Sequence, residues 1–242
     1  MEICCADAES VVAAMKGGAD RIELCSALSE GGVTPSAGLI KFAVGTGIKV
    51  NVLIRPRRGD FLYSEEEIRV MEQDIRYAVE LGAAGVVVGA LTADGYVDAA
   101  ATKRLAEAAA GRCVTFHRAF DVCRSPLQQL EAIIGCGCST LLTSGCAASA
   151  FEGADTIRRL VELAAGRIDI MAGAGVSPAN AFEILKATGC QALHGSAGRN
   201  VASGMRFRKT DVNMGGNDDE YMRRATSQDT VKQIKDIVRS FE

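Results

Sequence analysis

Eight short apolar segments recur along the chain, and longer segments with a helical spacing of apolar residues separate them. The predicted strands cover residues 2–5, 21–25, 49–54, 85–89, 113–117, 140–144, 169–173 and 192–196. Repeated strand–helix units of this kind form a parallel sheet that is covered by helices. Eight such units in 242 residues predict a closed (β/α)8 barrel, the TIM barrel, over residues 1–198. An open, doubly wound sheet is the alternative, but no Gly-x-Gly-x-x-Gly motif follows the first strand to support it.

Several helix starts are marked by residues that cap helices. Ser64 and Glu67 have the spacing of a capping box and predict a helix from residue 65 to about 81. A capping residue followed by proline predicts three further starts. These pairs are Thr34-Pro35, Ser125-Pro126 and Ser177-Pro178.

The pattern changes after residue 198. Residues 199–226 are polar, charged and glycine-containing, which predicts a long loop that could be ordered against the barrel mouth. A last helix is expected over residues 228–241, because its apolar residues share one face that can dock on the barrel. These are Val231, Ile234, Val238 and Phe241. Residues 199–242 are therefore expected to be a loop and helix of the same domain.

Charge and composition exclude several classes of protein. Lys and Arg number 27 against 30 Asp and Glu, so the net charge of −3 lacks the basic excess of a nucleic-acid-binding protein. No segment approaches the roughly 18 consecutive apolar residues that a membrane helix needs. The first residues carry no basic stretch followed by an apolar one, as a signal peptide would. We therefore expect a cytoplasmic protein without a nucleic-acid or membrane partner.

Nine cysteines are present, an odd number. In a reducing cytoplasm they are expected to be thiols, most of them packed as small apolar side chains. No pair has the Cys-x-x-Cys spacing of a zinc or redox site.

Active sites of TIM barrels lie at the carboxyl ends of the strands, and polar residues fall there in this sequence. Glu2 and Cys4 are two residues apart in the first strand, as are Glu23 and Cys25 in the second. Residues two apart share one face of a strand, so both carboxylates and both thiols could enter the barrel.

Arginine, histidine and aspartate follow the third and fifth strands. His117 is suited to general acid–base catalysis, with a structural buried histidine as the alternative. Arg55 and Arg118 could bind an anionic group, or they could neutralise Glu23, Asp60 and Asp121 in a buried charge network. The candidate catalytic residues are Glu23, Arg55, His117, Arg118 and Asp121. His194, at the end of the eighth strand, remains open between a functional and a structural role.

Glycine-rich loops follow strands six to eight. Backbone N–H groups in such loops frequently bind phosphate in this fold, although a barrel also needs glycine there simply to turn. The candidate anion-binding residues are Ser144, Gly145, Gly173, Gly175 and Ser196.

Cys4 and Cys25 are the two thiols expected to meet. Soft thiolates suit Cu(I) and also Zn²⁺, whereas two buried thiols in apolar surroundings are the alternative.

Long motifs in the sequence resemble those of the copper homeostasis protein CutC family. They are GGADRIELCSALSEGGVTPSAGLI at 17–40, IRPRRGDFLYSEEE at 54–67, VTFHRAFDVC at 114–123, LLTSG at 141–145, IMAGAGV at 170–176 and LHGSAG at 193–198. The resemblance implies a cytoplasmic TIM barrel, commonly a homodimer, that is linked to copper handling. It places the proposed Cu(I) ligands at Cys4 and Cys25. The chain departs from the family pattern at Arg58 and Gly195, where the family has a glycine and a serine.

Two functional hypotheses follow. In the first, the protein binds Cu(I) through Cys4 and Cys25. In the second, it is an enzyme for a small anionic substrate, which the arginines anchor while His117 with Glu23 or Asp121 moves protons. The many charged residues at the predicted mouth favour the second hypothesis, but no motif specifies a reaction.

Overall fold

The central feature of the fold is a closed barrel of eight parallel strands. The computed structural model describes residues 1–212 and 219–241. The strands are β1 (Glu2–Cys5), β2 (Arg21–Leu24), β3 (Lys49–Leu53), β4 (Gly85–Val88), β5 (Cys113–Phe116), β6 (Thr140–Thr143), β7 (Asp169–Ala172) and β8 (Ala192–Gly195). Each strand pairs with the next along the chain, and β8 pairs with β1. The predicted (β/α)8 barrel is therefore confirmed.

A helix follows each strand and covers the outside of the barrel. The helices are α1 (Ala8–Lys16), α2 (Ala37–Gly45), α3 (Glu65–Glu80), α4 (Ala99–Ala108), α5 (Pro126–Gly135), α6 (Ala154–Ala164), α7 (Ala181–Thr188) and α8 (Gln228–Phe241). Among the described residues, no helix combines the length and the apolar character that crossing a membrane requires.

Side-chain alternation along the strands separates two buried regions. Ile3 and Cys5 of β1 belong to the large apolar core between the strands and the helices. A smaller cluster fills part of the barrel interior and consists of Cys4, Cys25, Leu53 and Val87. Because successive strand residues point to opposite faces, the predicted inward residues Glu2 and Cys4 share the interior.

Seven of the eight strands end one residue earlier than predicted, and only β1 has the predicted end. His117, after β5, is one example. Its N–H still donates to the carbonyl of Val88 in β4 at 2.8 Å, while its side chain accepts the N–H of Ala119 and begins a 3₁₀ turn over Arg118–Val122.

The predicted capping box of α3 is confirmed, since Ser64 and Glu67 each accept the other's backbone N–H. Pro126 is the first residue of α5, as predicted, although the Ser125 side chain makes no capping hydrogen bond.

Two other predicted helix starts are wrong. Thr34 does not cap α2, because its hydroxyl accepts the N–H of Arg55 and its own N–H donates to the Arg55 carbonyl. Ser36 caps α2 instead. Ser177 precedes a turn in which its N–H donates to the Asn180 side chain, so α7 begins at Ala181.

The prediction of a continuous loop over residues 199–226 is also wrong at both ends. Strands β9 (Gly198–Ala202) and β10 (Met222–Thr226) pair in antiparallel fashion to form a ribbon beside the barrel mouth. Most of their side chains are exposed. Neither segment therefore needs the alternation of apolar and polar residues by which a strand is recognised in a sequence. Residues 213–218 of the predicted loop lie outside the described residues.

The last helix lies where the sequence predicts it. Val231, Ile234 and Val238 are buried, while Phe241 stays exposed and packs edge-on against Phe182 of α7. Helix α8 contacts α7 and α1, and β10 contacts α1.

Candidate functional site

A cavity of about 710 Å³ opens at the carboxyl ends of the strands. It is far larger than a single metal ion requires. The predicted site residues that line it are Cys4, Glu23, Arg55, His117, Arg118, Asp121, Gly175 and Ser196. Four predicted residues do not line it, namely Cys25, Ser144, Gly145 and Gly173.

Glu2 is fully buried inside the barrel and is the centre of a hydrogen-bond network. Its carboxylate accepts from Arg21 Nε at 2.6 Å and from Asn51 Nδ2 at 3.1 Å, and it lies 2.9 Å from His194 Nδ1. Burial alone would raise the pKa of Glu2, but His194 and Arg21 lower it to about 2. Glu2 is therefore a fixed negative charge.

Glu23 and Cys4 lie on the other side of the same imidazole. His194 Nε2 is 3.8 Å from Glu23 Oε2. Burial, followed by the negative charge of Glu2, raises the pKa of Glu23, which His194 only partly offsets. Burial would lower the pKa of His194, but the carboxylates of Glu23 and Glu2 raise it above its ordinary value. The pair can therefore share a proton.

The two predicted thiols do meet inside the barrel. Cys4 Sγ and Cys25 Sγ are 3.6 Å apart, and both side chains are buried. The hydrogen bond with Cys25, burial and the nearby charge of Glu23 all raise the pKa of Cys4 well above that of a free thiol. Cys4 reaches the cavity, whereas Cys25 lies behind it.

His117 is buried between the aromatic rings of Phe61 and Phe116, with a centroid separation of 5.0 Å from Phe61. Burial, together with the charge of Arg55, lowers the pKa of His117 to about 3. Because Nδ1 accepts the Ala119 N–H, Nε2 carries the proton of the neutral ring. This buried Nε2 has no hydrogen-bond partner among the described residues. The expectation of a histidine that titrates near neutrality is wrong for His117, which is a neutral hydrogen-bond donor.

Arg55 is buried as well, and it makes no ion pair among the described residues. Its guanidinium donates to the carbonyls of Glu30, Gly32 and Gly59 and lies 5.2 Å from the centroid of Phe61. Its Nε is a second buried donor without a partner in the described part of the chain. The guanidinium therefore keeps an uncompensated positive charge at the cavity wall.

Arg118 and Asp121 form an ion pair, which is the alternative to anion binding that the sequence offered for Arg118. Arg118 donates to Asp121 at 2.7 Å and to the hydroxyl of Ser144 at 3.0 Å. Asp121 also accepts from the Thr143 hydroxyl and from the N–H groups of Ser144 and Cys146. With its oxygens occupied in this way, Asp121 holds the loop after β6 and has little capacity to act as a base.

The loop after β6 does not form the expected anion site. The N–H of Ser144 donates to Asp121, and the N–H of Gly145 donates to the Thr143 hydroxyl at 2.8 Å. Gly173 donates its N–H to the Thr143 carbonyl, and a Cβ there would lie 2.6 Å from Leu142. The N–H groups of these three residues already have acceptors within the protein, so they are not available to bind an anion.

The loops after β7 and β8 keep free donors. In the described part of the chain, no acceptor is found for the N–H groups of Ala174, Gly175, Val176, Ser196 and Ala197. All five residues line the cavity. Ala174 and Gly175 adopt positive φ angles of 80° and 72°. Gly175 and Ser196 therefore remain candidate anion-binding residues.

Arg224 and Phe61 are among the cavity residues that the sequence analysis did not name as candidates. Arg224 of β10 lines the cavity and makes no ion pair among the described residues, while its neighbour Arg223 pairs with Glu9. Gly198 leaves room for Arg224, since a Cβ there would lie 2.4 Å from its Nε. Phe61 follows the conspicuous Arg-Pro-Arg-Arg-Gly-Asp run and could have been noticed there, whereas the placement of Arg224 depends on a ribbon without an apolar pattern.

The two departures from the family pattern lie in different surroundings. Arg58 is exposed and pairs with Glu30 at 3.0 Å, outside the cavity lining. Gly195 lines the cavity.

Comparisons with known proteins agree with these motifs. The model of the CutC family matches residues 1–199. A family protein CutC of Chromobacterium violaceum is 50% identical over 240 residues, which cover 98% of this chain and 97% of that protein. The human copper homeostasis protein cutC homolog is 46% identical over 243 residues, covering 99% of this chain and 89% of that protein.

A solved structure of a CutC protein from Streptococcus agalactiae is 37% identical. It matches with a TM-score of 0.77 and covers 81% of this chain and 97% of its own. The family model spans well over half of the 242 residues, and the similarity to these relatives extends along nearly the whole chain. The chain therefore belongs to the CutC family.

Proposed function

We propose that the protein is an enzyme that acts on a small anionic substrate, carrying a phosphate or carboxylate group, in the cavity at the carboxyl ends of the strands. The observation that carries this proposal is His117 Nε2, a buried donor without a partner among the described residues, in the same cavity as the Arg55 guanidinium, which makes no ion pair there. A buried donor without a partner costs about 1 to 3 kcal/mol, so such donors point to a ligand that accepts from them.

The charges around the cavity favour an anion. Arg55 and Arg224 line it without an ion-pair partner in the described residues, and the free N–H groups after β7 and β8 add further donors. Donors of both kinds around one cavity of this size suit a ligand with an anionic end and a second polar group.

Glu23 is the group best suited to proton transfer. It lines the cavity, burial raises its pKa so that it holds a proton more readily than an exposed carboxyl does, and His194 lies 3.8 Å away to share that proton. A neutral His117 complements it by donating to an oxygen on which negative charge develops, as donors of an oxyanion hole do. Arg118 and Asp121 are positioning residues in this proposal.

A binding experiment tests the anion site. Inorganic phosphate and a panel of phosphorylated and carboxylated metabolites are titrated into wild type, Arg224→Gln and Arg223→Gln by calorimetry. Loss of a charged contact predicts about tenfold weaker binding for Arg224→Gln, which is 1.4 kcal/mol. Arg223→Gln, on the same strand but outside the cavity lining, is expected to bind like wild type. Absence of binding at millimolar concentrations, or equal weakening in both variants, would contradict the proposal.

Turnover is tested with the metabolite that binds best. Glu23→Gln is expected to abolish catalysis, because an amide cannot exchange the proton. The dissociation constant is expected to stay within about threefold, because the arginines and backbone N–H groups that bind the anion remain. Unchanged turnover in Glu23→Gln would refute the assignment of Glu23.

Cu(I) binding through Cys4 and Cys25 is a second candidate function, which the separation of 3.6 Å between the sulfur atoms favours. Two thiolates on one tetrahedral ion are about 3.8 Å apart, so a single ion can contact both sulfurs. Thiolates are also the ligands that select Cu(I). In this candidate function copper is the cargo, and the large cavity has no part in holding it.

Competition with a chelator of known Cu(I) affinity tests this candidate. The double variant Cys4→Ser/Cys25→Ser is expected to lose tight one-to-one binding, while Cys113→Ser, which removes an exposed thiol, retains it. Equal affinity in the double variant and wild type would exclude the site.

Two expectations from the resemblance stay predictions, namely a cytoplasmic location and a homodimer. Sedimentation of the purified protein tests the second.

A further inference from the structure

One cluster of potential metal ligands lies where β8, β1 and β2 adjoin. Cys4 Sγ, a carboxylate oxygen of Glu23 and a ring nitrogen of His194 all lie within 4.8 Å of one another, and no other such group is found among the described residues. We propose that these three side chains form a binding site for a borderline divalent cation, Zn²⁺ in the first instance. Nitrogen, oxygen and sulfur are the three ligand atoms that Zn²⁺ takes in proteins.

The barrel topology brings the ligands together. β1 lies between β8 and β2, and its register pairs Glu2 with His194 and Cys4 with Glu23. The ligands therefore come from three adjacent strands of a closed sheet. Rigid strands hold a metal site more precisely than loops do.

The distances suit an ion after a small adjustment. Zn²⁺ lies about 2.3 Å from sulfur and about 2.0 to 2.2 Å from nitrogen or oxygen, which places tetrahedral ligand atoms about 3.3 to 3.6 Å apart. His194 Nε2 and Glu23 Oε2 are 3.8 Å apart. Side-chain rotations that move the ligand atoms by about 1 Å or less are enough to close the site.

The surroundings of His194 provide independent support. Glu2 accepts from Nδ1 at 2.9 Å, so Nε2 faces Glu23 and presents a lone pair there once its proton is released. Arg21 and Asn51 hold the carboxylate of Glu2 in turn. A carboxylate on the far nitrogen of a metal-binding histidine is the usual outer shell of zinc sites.

The charge balance is also favourable. A thiolate at Cys4 and a carboxylate at Glu23 together neutralise a divalent ion in a buried place, and binding releases to solvent both the thiol proton and the proton that Glu23 and His194 share. Three protein ligands leave a fourth position, which opens toward the cavity because all three residues line it. That arrangement is typical of catalytic zinc sites, which keep one position for water or substrate.

This inference goes beyond the proposed function and does not depend on it, since an ion can bind whether or not the cavity also takes an anion. With the ion bound, Glu23 and His194 are ligands, and a water on the ion replaces Glu23 as the group that exchanges protons. The site also differs from the Cu(I) candidate, because the two share Cys4 alone.

A competition titration with Zn²⁺ and a chromogenic chelator tests the site. The protein is reduced with a phosphine, and wild type is compared with Glu23→Gln, His194→Asn, Cys25→Ser and Cys5→Ser after their folding is checked by circular dichroism. We expect one ion per chain in wild type. Removal of an outer-shell partner already costs 10- to 100-fold in affinity. Glu23→Gln and His194→Asn are therefore expected to lose at least about 100-fold. Cys5→Ser, which touches none of the ligands, stays within about threefold, and Cys25→Ser, which keeps a hydroxyl beside Cys4, loses less than about tenfold.

The opposite pattern would overturn the inference. Zn²⁺ binding that Cys25→Ser loses and Glu23→Gln retains would place the ion on the two thiols, and undetectable binding in wild type would remove the site. Should the Glu23 or His194 variants fail to fold, the absorption spectrum of wild type with Co²⁺ decides. A tetrahedral spectrum with charge transfer from one thiolate supports the site, whereas an octahedral spectrum without it refutes the site.

Discussion

Nδ1 of His194 lies 2.9 Å from Oε1 of Glu2, so a hydrogen bond joins the last strand of the barrel to the first inside the closed sheet. The same carboxylate accepts from Arg21 and Asn51. Substituting Glu2 therefore changes the stability of the barrel as well as the orientation of the imidazole.

Glu2→Gln is expected to lower the free energy of unfolding by about 3 kcal/mol, because it leaves buried donors without a charged acceptor. Glu9→Gln is the matched control, because Glu9 pairs with arginines at the exposed surface. The urea concentration at the unfolding midpoint is expected to change little in this variant. Urea unfolding of both variants measures the difference. Equal midpoints for the two variants would contradict the role of Glu2.

His117 makes the stability depend on pH. Its pKa is about 3 in the folded protein and about 6.5 in the unfolded chain, so the unfolded chain binds the proton first as the pH falls. This contribution to stability is complete above pH 6.5 and is lost progressively between about pH 6.5 and 3, by at most about 1.4 kcal/mol per pH unit.

His117→Asn is therefore expected to flatten the fall of the unfolding free energy between pH 7.5 and 5, a window in which ordinary carboxylates titrate little. Urea unfolding at several pH values checks this. Parallel curves for wild type and variant would show that His117 is protonated to the same extent in both states.

Gly89 makes room for the ring of His117. A Cβ at Gly89 would lie 2.4 Å from Cε1 and Nδ1 of that ring. Gly89→Ala is expected to displace His117, lower the melting temperature by several degrees and weaken ligand binding in the cavity. Gly135→Ala is the control, because a Cβ there meets nothing within 4 Å at the end of α5, and it is expected to be neutral or slightly stabilising. A wild-type melting temperature for Gly89→Ala would disprove the close approach.

Asp121 is expected to act through the loop after β6. Asp121→Asn places an amide beside the Ser144 N–H and the Arg118 guanidinium, which both need acceptors. We expect a loss of about 2 kcal/mol in unfolding free energy. Asp155→Asn, at an exposed position, is the control with no measurable loss. Loss of turnover at unchanged stability would instead favour a catalytic aspartate.

The strand ends show how far sequence reasoning reached. The predicted inward pairs, Glu2 with Cys4 and Glu23 with Cys25, do enter the barrel, because alternation along a strand depends on local geometry alone. The cavity residues Arg55, His117 and Gly175 were also predicted, since their place at strand ends follows from the fold. Their roles did not follow, because the pKa of His117 depends on burial and on a neighbouring arginine from another strand.

Ser144 and Gly145 show why a motif alone can mislead. Both looked like anion donors in a glycine-containing loop, but Asp121 and Thr143 already take their N–H groups. Whether a backbone donor is free depends on which side chains from other loops reach it, and the order of residues in the loop does not show that.

The sequence by itself determined the (β/α)8 barrel, its helical layer, the family and the placing of thiols, carboxylates and arginines at one end. Local periodicity and capping are enough for that, since each strand–helix unit carries its own pattern. Only the tertiary structure decided the register between β8 and β1, which sets His194 beside Glu2 and brings it to Glu23 and Cys4. It also decided that β9 and β10 pair and carry Arg224 to the cavity. These contacts join residues far apart in sequence, and burial among them sets the charges of the site, so no local pattern could have specified them.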